Sequence, residues 1–320
     1  MIKYHLLRGM VMNRTNNIKS SFYLSLTAII WGVAFVFQSM GNNYMEPFTF
    51  NSARNFLGFL VLIPIVILKL KKPELFSGKN EAVVIDKKIT VIGGICCGLA
   101  LAAAGMFQQY GVKYTTVGKA GFITTLYIIL TPIFGLFLGK KCHFTVWIGA
   151  VGAVAGLYML CINGSLSLSP GDILVFICAI LFAVHILLVD YFSPKTDGVL
   201  LSCIQFFVCA VVCGAIALII EHPSWEQITQ GAIPILYTGV MSSGVAYTLQ
   251  IIGQKNFNPT IAAMIMSLES VISALASYFA YSMGWLKQDQ SMTVVQILGC
   301  LIMFCSVIFV QLPFDKLRKH

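Results

Sequence analysis

PTIAAMIMSLESVISALASYFAYSM, residues 259–283, holds a single charged side chain, Glu269. About 20 apolar residues in helical form cross the roughly 30 Å hydrocarbon core of a bilayer. The stretch therefore predicts a membrane-spanning helix, with a carboxylate near its middle that needs an explanation. The rest of the chain has the same character. Its 320 residues are 58% hydrophobic and 10% charged, with a mean hydropathy of +0.85, whereas a soluble domain carries about 25% charged residues.

Ten apolar stretches can be marked, at about 22–40, 48–68, 89–110, 116–138, 143–162, 170–190, 199–220, 231–252, 259–283 and 293–312. Strands of a membrane β-barrel would be about 10 residues long with alternating polarity, and no stretch alternates in that way. The expected fold class is an all-α membrane protein with ten transmembrane helices.

The basic residues orient it. Lys and Arg concentrate in cytoplasmic loops. With the N-terminus inside, the outer segments hold only Lys113, Lys119 and Lys287 of the 21 basic residues, and Arg54 lies within a span. Both termini are then cytoplasmic, and the net charge of +9 is mostly a topology signal. A nucleic-acid surface does not fit, because the basic residues sit in short loops without an aromatic platform. The basic N-terminus leads into a full-length span with no clear cleavage site, so no signal peptide is expected. Nine of the ten cysteines fall inside spans and Cys142 sits at a helix end. They read as small buried hydrophobes, with no disulfide framework and no zinc spacing. No cofactor and no metal are expected.

The chain repeats itself. At an offset of 151, Ala28, Trp31, Gly32 and Arg54 align with Ala179, Phe182, Ala183 and Gln205. At an offset of 142, Ala104, Gln108, Gly111 and Lys113 align with Ala246, Gln250, Gly253 and Lys255. The expected division is a cytoplasmic segment 1–21, a first repeat 22–162, a second repeat 170–312 and a cytoplasmic tail 313–320. NGSLSLSPGD (163–172) reads as the outer loop between repeats. Five helices per repeat is an odd number, so the second repeat enters the membrane upside down. Inverted repeats are the plan of many secondary transporters, with the substrate site near the midplane between halves.

Several of these segments resemble a known family. AIIWGVAF (28–35) with Pro47 and Arg54, KYTTVGKAGFITTLYIILTPIFGL (113–136), SSGVAYTLQ (242–250), Pro259 and MSLESV (266–271) resemble, in order and spacing, the helices of the two repeats in the EamA-like drug/metabolite transporter (DMT) superfamily. Where members often carry Gly-Glu after the fourth helix of a repeat, this sequence has Gly139-Lys140 and Gly284-Trp285. Ser270 follows Glu269 where a Pro is common. The resemblance implies a small organic metabolite as substrate, amino-acid-like among the options, and outward transport.

Glu269 lies about ten residues into its span, roughly 15 Å deep at 1.5 Å per residue. Carboxylates at such depth face a cavity, a partner or a relay. Glu269 can contact a substrate amine, carry a coupling proton, or simply tie helices together. Arg54 can bind an acidic group bidentately, pair with Glu269, or snorkel to the headgroups. His185, whose unperturbed imidazole titrates near physiological pH, is either a proton relay or a packing residue. Lys119 and Asp190 belong at helix ends. Trp31, Gln38, Asn51, Gln108, Tyr127, Gln205, Ser243, Tyr247 and Gln250 are candidate lining of an amphipathic cleft, or helix-packing glue.

Other signals are weaker. GVKYTTVGKA (111–120) fails as a phosphate-binding loop: its glycines are too far apart, and Ala120 follows Lys119 where Ser or Thr would hold magnesium. NGS (163–165) is a glycosylation acceptor only in a secretory-pathway host. The reading is a multi-pass protein of the cell membrane, the bacterial inner or plasma membrane, and a secondary transporter working by alternating access. Its partners are a small-molecule substrate, H⁺ as coupling ion, and the lipid bilayer. The alternative is a non-transporting membrane sensor or lipid-handling protein. An intramembrane enzyme would need a paired nucleophile and base, and Glu269 with His185 makes a poor pair.

Overall fold

The computed structural model describes residues 2–72, 86–140, 144–161, 169–255, 257–286 and 293–311, and only the helical backbone of 2–17. Cys142, the NGS triplet, Lys287 and the tail from 313 lie outside the described residues. The elements are α1 (Ile2–Gly41), α2 (Pro47–Lys71), α3 (Lys87–Tyr114), α4 (Val117–Thr124), α5 (Tyr127–Phe137), α6 (Phe144–Cys161) and α7 (Pro170–Phe192). They continue with α8 (Gly198–Ile220), α9 (Trp225–Gln230), α10 (Ala232–Leu236), a π-helical segment (Tyr237–Tyr247) and α11 (Thr248–Gln254). The last three are α12 (Pro259–Met266), α13 (Glu269–Ser282) and α14 (Val294–Gln311). No strand occurs among the described residues.

Eight segments are long and apolar enough to cross a membrane. The helices α6 and α14 are apolar too, but offer shorter apolar runs, Phe144–Gly156 and Val294–Phe309. The chain is a multi-pass membrane protein built from two repeats.

Packing respects the repeat. The helix α2 lies along α8, and α6 along α14, each beside its own counterpart. The helix α3 packs on α7, and its counterpart, the rod from α10 through α11, packs on α1. Exchanging the halves leaves the set of neighbours unchanged, as a two-fold relation requires. Helix ends repeat as well. Thr116 accepts from Lys119 N at the start of α4, and Asn258 from Thr260 N and Ile261 N at the start of α12. Gly139 and Gly284 have φ of +72° and +75°. Each is followed by an amide that reaches back five residues, Lys140 N to Gly135 O at 2.9 Å and Trp285 N to Ala280 O at 2.8 Å. That left-handed helix stop suits glycine, which has no Cβ to clash.

The structure corrects one expectation. The stretches 116–138 and 259–283 are not continuous helices. Each breaks for two residues, at Thr125–Leu126 and at Ser267–Leu268. The Thr125 hydroxyl donates to Phe122 O at 2.8 Å, and the Ser267 hydroxyl to Met264 O at 2.7 Å. Past the break, Ile128 N bonds Thr125 O and Ser270 N bonds Ser267 O, three residues back instead of four. Hydroxyl back-bonding and a tightened turn bend a helix without proline. Each second half therefore begins in mid-bundle, at Tyr127 and at Glu269.

Candidate functional site

Those two residues meet at the centre of the bundle. The Tyr127 hydroxyl donates to Glu269 Oε1 at 3.0 Å. They are 142 residues apart, the repeat offset, so each occupies the other's place in the two halves. Glu269 also stands in the first turn of α13, where the helix dipole favours an anion. Both line one cavity between the repeats, together with Trp31, Gln38, Arg54, Gln108, Tyr247 and Gln250. The cavity is closed: Glu269 is 3% exposed and Arg54 2%. Its free volume is about 20 Å³, room for one or two water molecules and too little for an organic solute.

Arg54 is the largest fully buried side chain among the described residues. Its Nε has no partner, and the guanidinium lies 5.9 Å from the Phe50 ring. Gly105 makes room for it. A Cβ there would stand 3.2 Å from Asn51 Oδ1 and 3.3 Å from Arg54 Nη2. In the second repeat that position is Tyr247, and Gln205 replaces Arg54. Asn51 is held by bonds from its Nδ2 to Gly105 O and Pro47 O, both 3.1 Å. Arg54 and Glu269 do not pair. The ion pairs among the described residues are Lys69–Asp197, Lys113–Glu46, Lys119–Asp172 and Lys140–Asp190. The cavity thus contains one guanidinium and one carboxyl group that are not in ion-pair contact.

Three expected lining residues, Asn51, Gln205 and Ser243, are off the lining, and so is His185. His185 and Gln205 are fully buried behind the cavity wall and bonded to each other, Nε2 to Oε1 at 3.2 Å. The imidazole sits edge-on to the Tyr247 ring. Ser243 faces α2, with Asn55 Oδ1 at 3.4 Å, and its neighbour Ser242 lines the cavity instead. Lys119 and Asp190 are at helix ends, paired with Asp172 and Lys140.

The lining residues that sequence reasoning passed over are Phe35, Thr124, Phe182, Ile186 and Ser242. A signal for one of them was present. Phe182 is the repeat partner of Trp31, so a lining residue expected in one half marks its counterpart in the other; Ile186 and Phe35 are repeat partners of each other, and neither had been singled out. Gln108 and Gln250, and Tyr127 and Glu269, are related in the same way.

A bundle of two like halves around a shared buried cavity has relatives. Residues 18–162 and 169–312 each match the EamA-like transporter family. The chain belongs to that family. Among EamA-like relatives, an uncharacterized transporter of Archaeoglobus fulgidus is 28% identical over 290 residues, covering 90% of this chain and 84% of the relative. The uncharacterized transporter YoaV of Bacillus subtilis is 23% identical over 294 residues, covering 90% of this chain and 95% of the relative. A solved crystal structure superposes with a TM-score of 0.69 at 17% identity, over 93% of this chain and 98% of the other, and shows the same fold. This EamA-like protein is a membrane transporter, and family membership brings a small-molecule substrate with it.

Proposed function

We propose that this chain is a secondary carrier of small organic solutes bearing an amino group and an acidic group, amino-acid-like in chemistry, and that it exports them. The observation that carries the reading is Arg54 and Glu269 in one closed cavity without an ion pair between them. Tyr127 donates to Glu269, but neither Glu269 nor Arg54 has a counter-charge among the described residues, and a buried charge without one is costly. A solute with a cationic end at Glu269 and an anionic end at Arg54 supplies both partners at once. Unpartnered Trp31 Nε1 and Gln250 Oε1 on the same lining add a donor and an acceptor to orient it.

In this reading the chain crosses the cell membrane ten times, with inverted repeats and both termini cytoplasmic. Expansion of the cavity toward one end and then the other gives alternating access, and the closed cavity is the occluded state between them. Glu269 is also the proton-coupling group, because it is the one carboxyl group on the lining among the described residues. Outward direction follows from the resemblance of the sequence. The test is flux of labelled amino acids in proteoliposomes. Glu269→Gln and Arg54→Gln are each expected to reduce it to background, and unchanged flux in both variants overturns the reading.

A further inference from the structure

From Gln38, on the cavity lining, a column of carboxamides runs toward the Glu46 end of the bundle. Gln109 donates its Nε2 to the Gln38 backbone carbonyl at 2.9 Å and to Asn42 Oδ1 at 2.8 Å. Asn42 Nδ2 donates to the Gln109 backbone carbonyl at 3.4 Å. A backbone carbonyl can only accept, so these bonds settle which end of each amide is the nitrogen. Gln109 Oε1 is therefore turned away from them. It has no partner, and neither does Gln38 Oε1, although Gln109 is 0% and Gln38 4% exposed. Two buried acceptors without partners thus lie in this column, one on the cavity-lining Gln38 and one on Gln109, which is bonded to the Gln38 backbone. Tying α1 to α3 uses the Nε2 bonds and leaves these oxygens unexplained, and a buried acceptor without a partner is costly.

The repeat relation strengthens the point. Gln38 corresponds to Val189 and Gln109 to Ile251. Both are fully buried in an apolar cluster with Cys97, Phe192 and Leu201. The opposite end of the bundle, where Lys69 lies, packs hydrocarbon in the same two places. The column is thus particular to one end and is not a requirement of the fold.

We propose that Gln38 and Gln109 form a second binding station for the N–H-donating end of the solute, an ammonium group, between the central cavity and the Glu46 end. Its place on a transport route rests on the carrier reading above. Neutral amide oxygens hold an ammonium less tightly than a carboxylate does, and a site on a route must bind weakly enough to let its occupant leave.

The probes are methylammonium chloride, which has N–H donors, and tetramethylammonium chloride, which has the same charge and none. Thermal unfolding of the purified full chain is followed in each salt at equal ionic strength, in a Glu269→Gln background that removes the central carboxylate. Methylammonium is expected to raise the midpoint of Glu269→Gln saturably above its value in tetramethylammonium. At ten times Kd the folding equilibrium gains about elevenfold. Adding Gln109→Leu or Gln38→Leu is expected to abolish that difference. No difference in Glu269→Gln, or a difference that persists in both double variants, overturns the station. If Gln109→Leu does not fold, Gln38→Leu decides alone. Failure of the carrier reading shows as absent flux in liposomes, whereas failure of the station shows in this binding measurement.

Discussion

Tyr127 and Glu269 stand at equivalent positions of the two repeats, each the first residue after a helix break, and a 3.0 Å hydrogen bond joins them. The two-fold relation brings like positions together, and divergence has placed a donor on one side and an acceptor on the other. A polar pair this central is the place to begin perturbing the molecule.

Tyr127→Phe removes the donor and leaves Glu269 Oε1 buried without its partner. Stability or solute affinity is expected to fall by about 1–3 kcal/mol. A double-mutant cycle with Glu269→Leu, which removes the acceptor, should return a coupling of about 0.5–3 kcal/mol, as for residues in contact. Additive effects would show that the bond contributes nothing.

Glu269→Gln keeps the side-chain shape and an acceptor for Tyr127. The variant should fold and insert normally, yet lose solute flux or its response to a pH gradient. Flux in proteoliposomes with and without an imposed gradient is the measurement. Intact, pH-responsive flux would remove Glu269 from the coupling step.

Gly105→Ala places a Cβ only 3.2 Å from Asn51 Oδ1 and 3.3 Å from Arg54 Nη2. The guanidinium must shift within a closed cavity. A cost of about 1–3 kcal/mol is typical of overpacking. The KM for solutes with an acidic group should rise, while amines lacking one are little affected. Equal effects on both classes would separate Arg54 from the acidic end of the solute.

The repeats are clasped at both ends. Lys69–Asp197 and Lys140–Asp190 bridge them at one end. At the other, Lys119 pairs with Asp172 at 2.9 Å, and Glu221 accepts from Phe48 N at 2.9 Å and Thr49 N at 2.7 Å. Exposed pairs contribute about 0.2–1 kcal/mol each. Removing both pairs at the Lys69 end, with Asp190→Asn and Asp197→Asn, should shift the balance toward opening there by about two- to thirtyfold. A cysteine at Ile186, on the cavity lining, should then react faster with a water-soluble maleimide by a similar factor. An unchanged rate would mean that these pairs do not hold the cavity shut.

Composition, hydropathy and the repeat offsets were enough to establish an all-helical membrane protein in two like halves. They also singled out Glu269 and Arg54, because a charge in hydrocarbon is too costly to be incidental. The rest was decided by tertiary structure. In a bilayer nearly every face of a helix is apolar, so periodicity does not say which way a glutamine or histidine points. Gln108 and Gln250 reach the cavity, while His185 and Gln205 turn to each other behind it. The breaks at Thr125 and Ser267 carry no proline or glycine; they come from hydroxyls bonding their own backbone, a choice local sequence leaves open. Whether Arg54 and Glu269 pair depended on the distance between two helices from different repeats. Packing keeps the two charges out of ion-pair contact around one cavity, and the sequence of neither helix contains that separation.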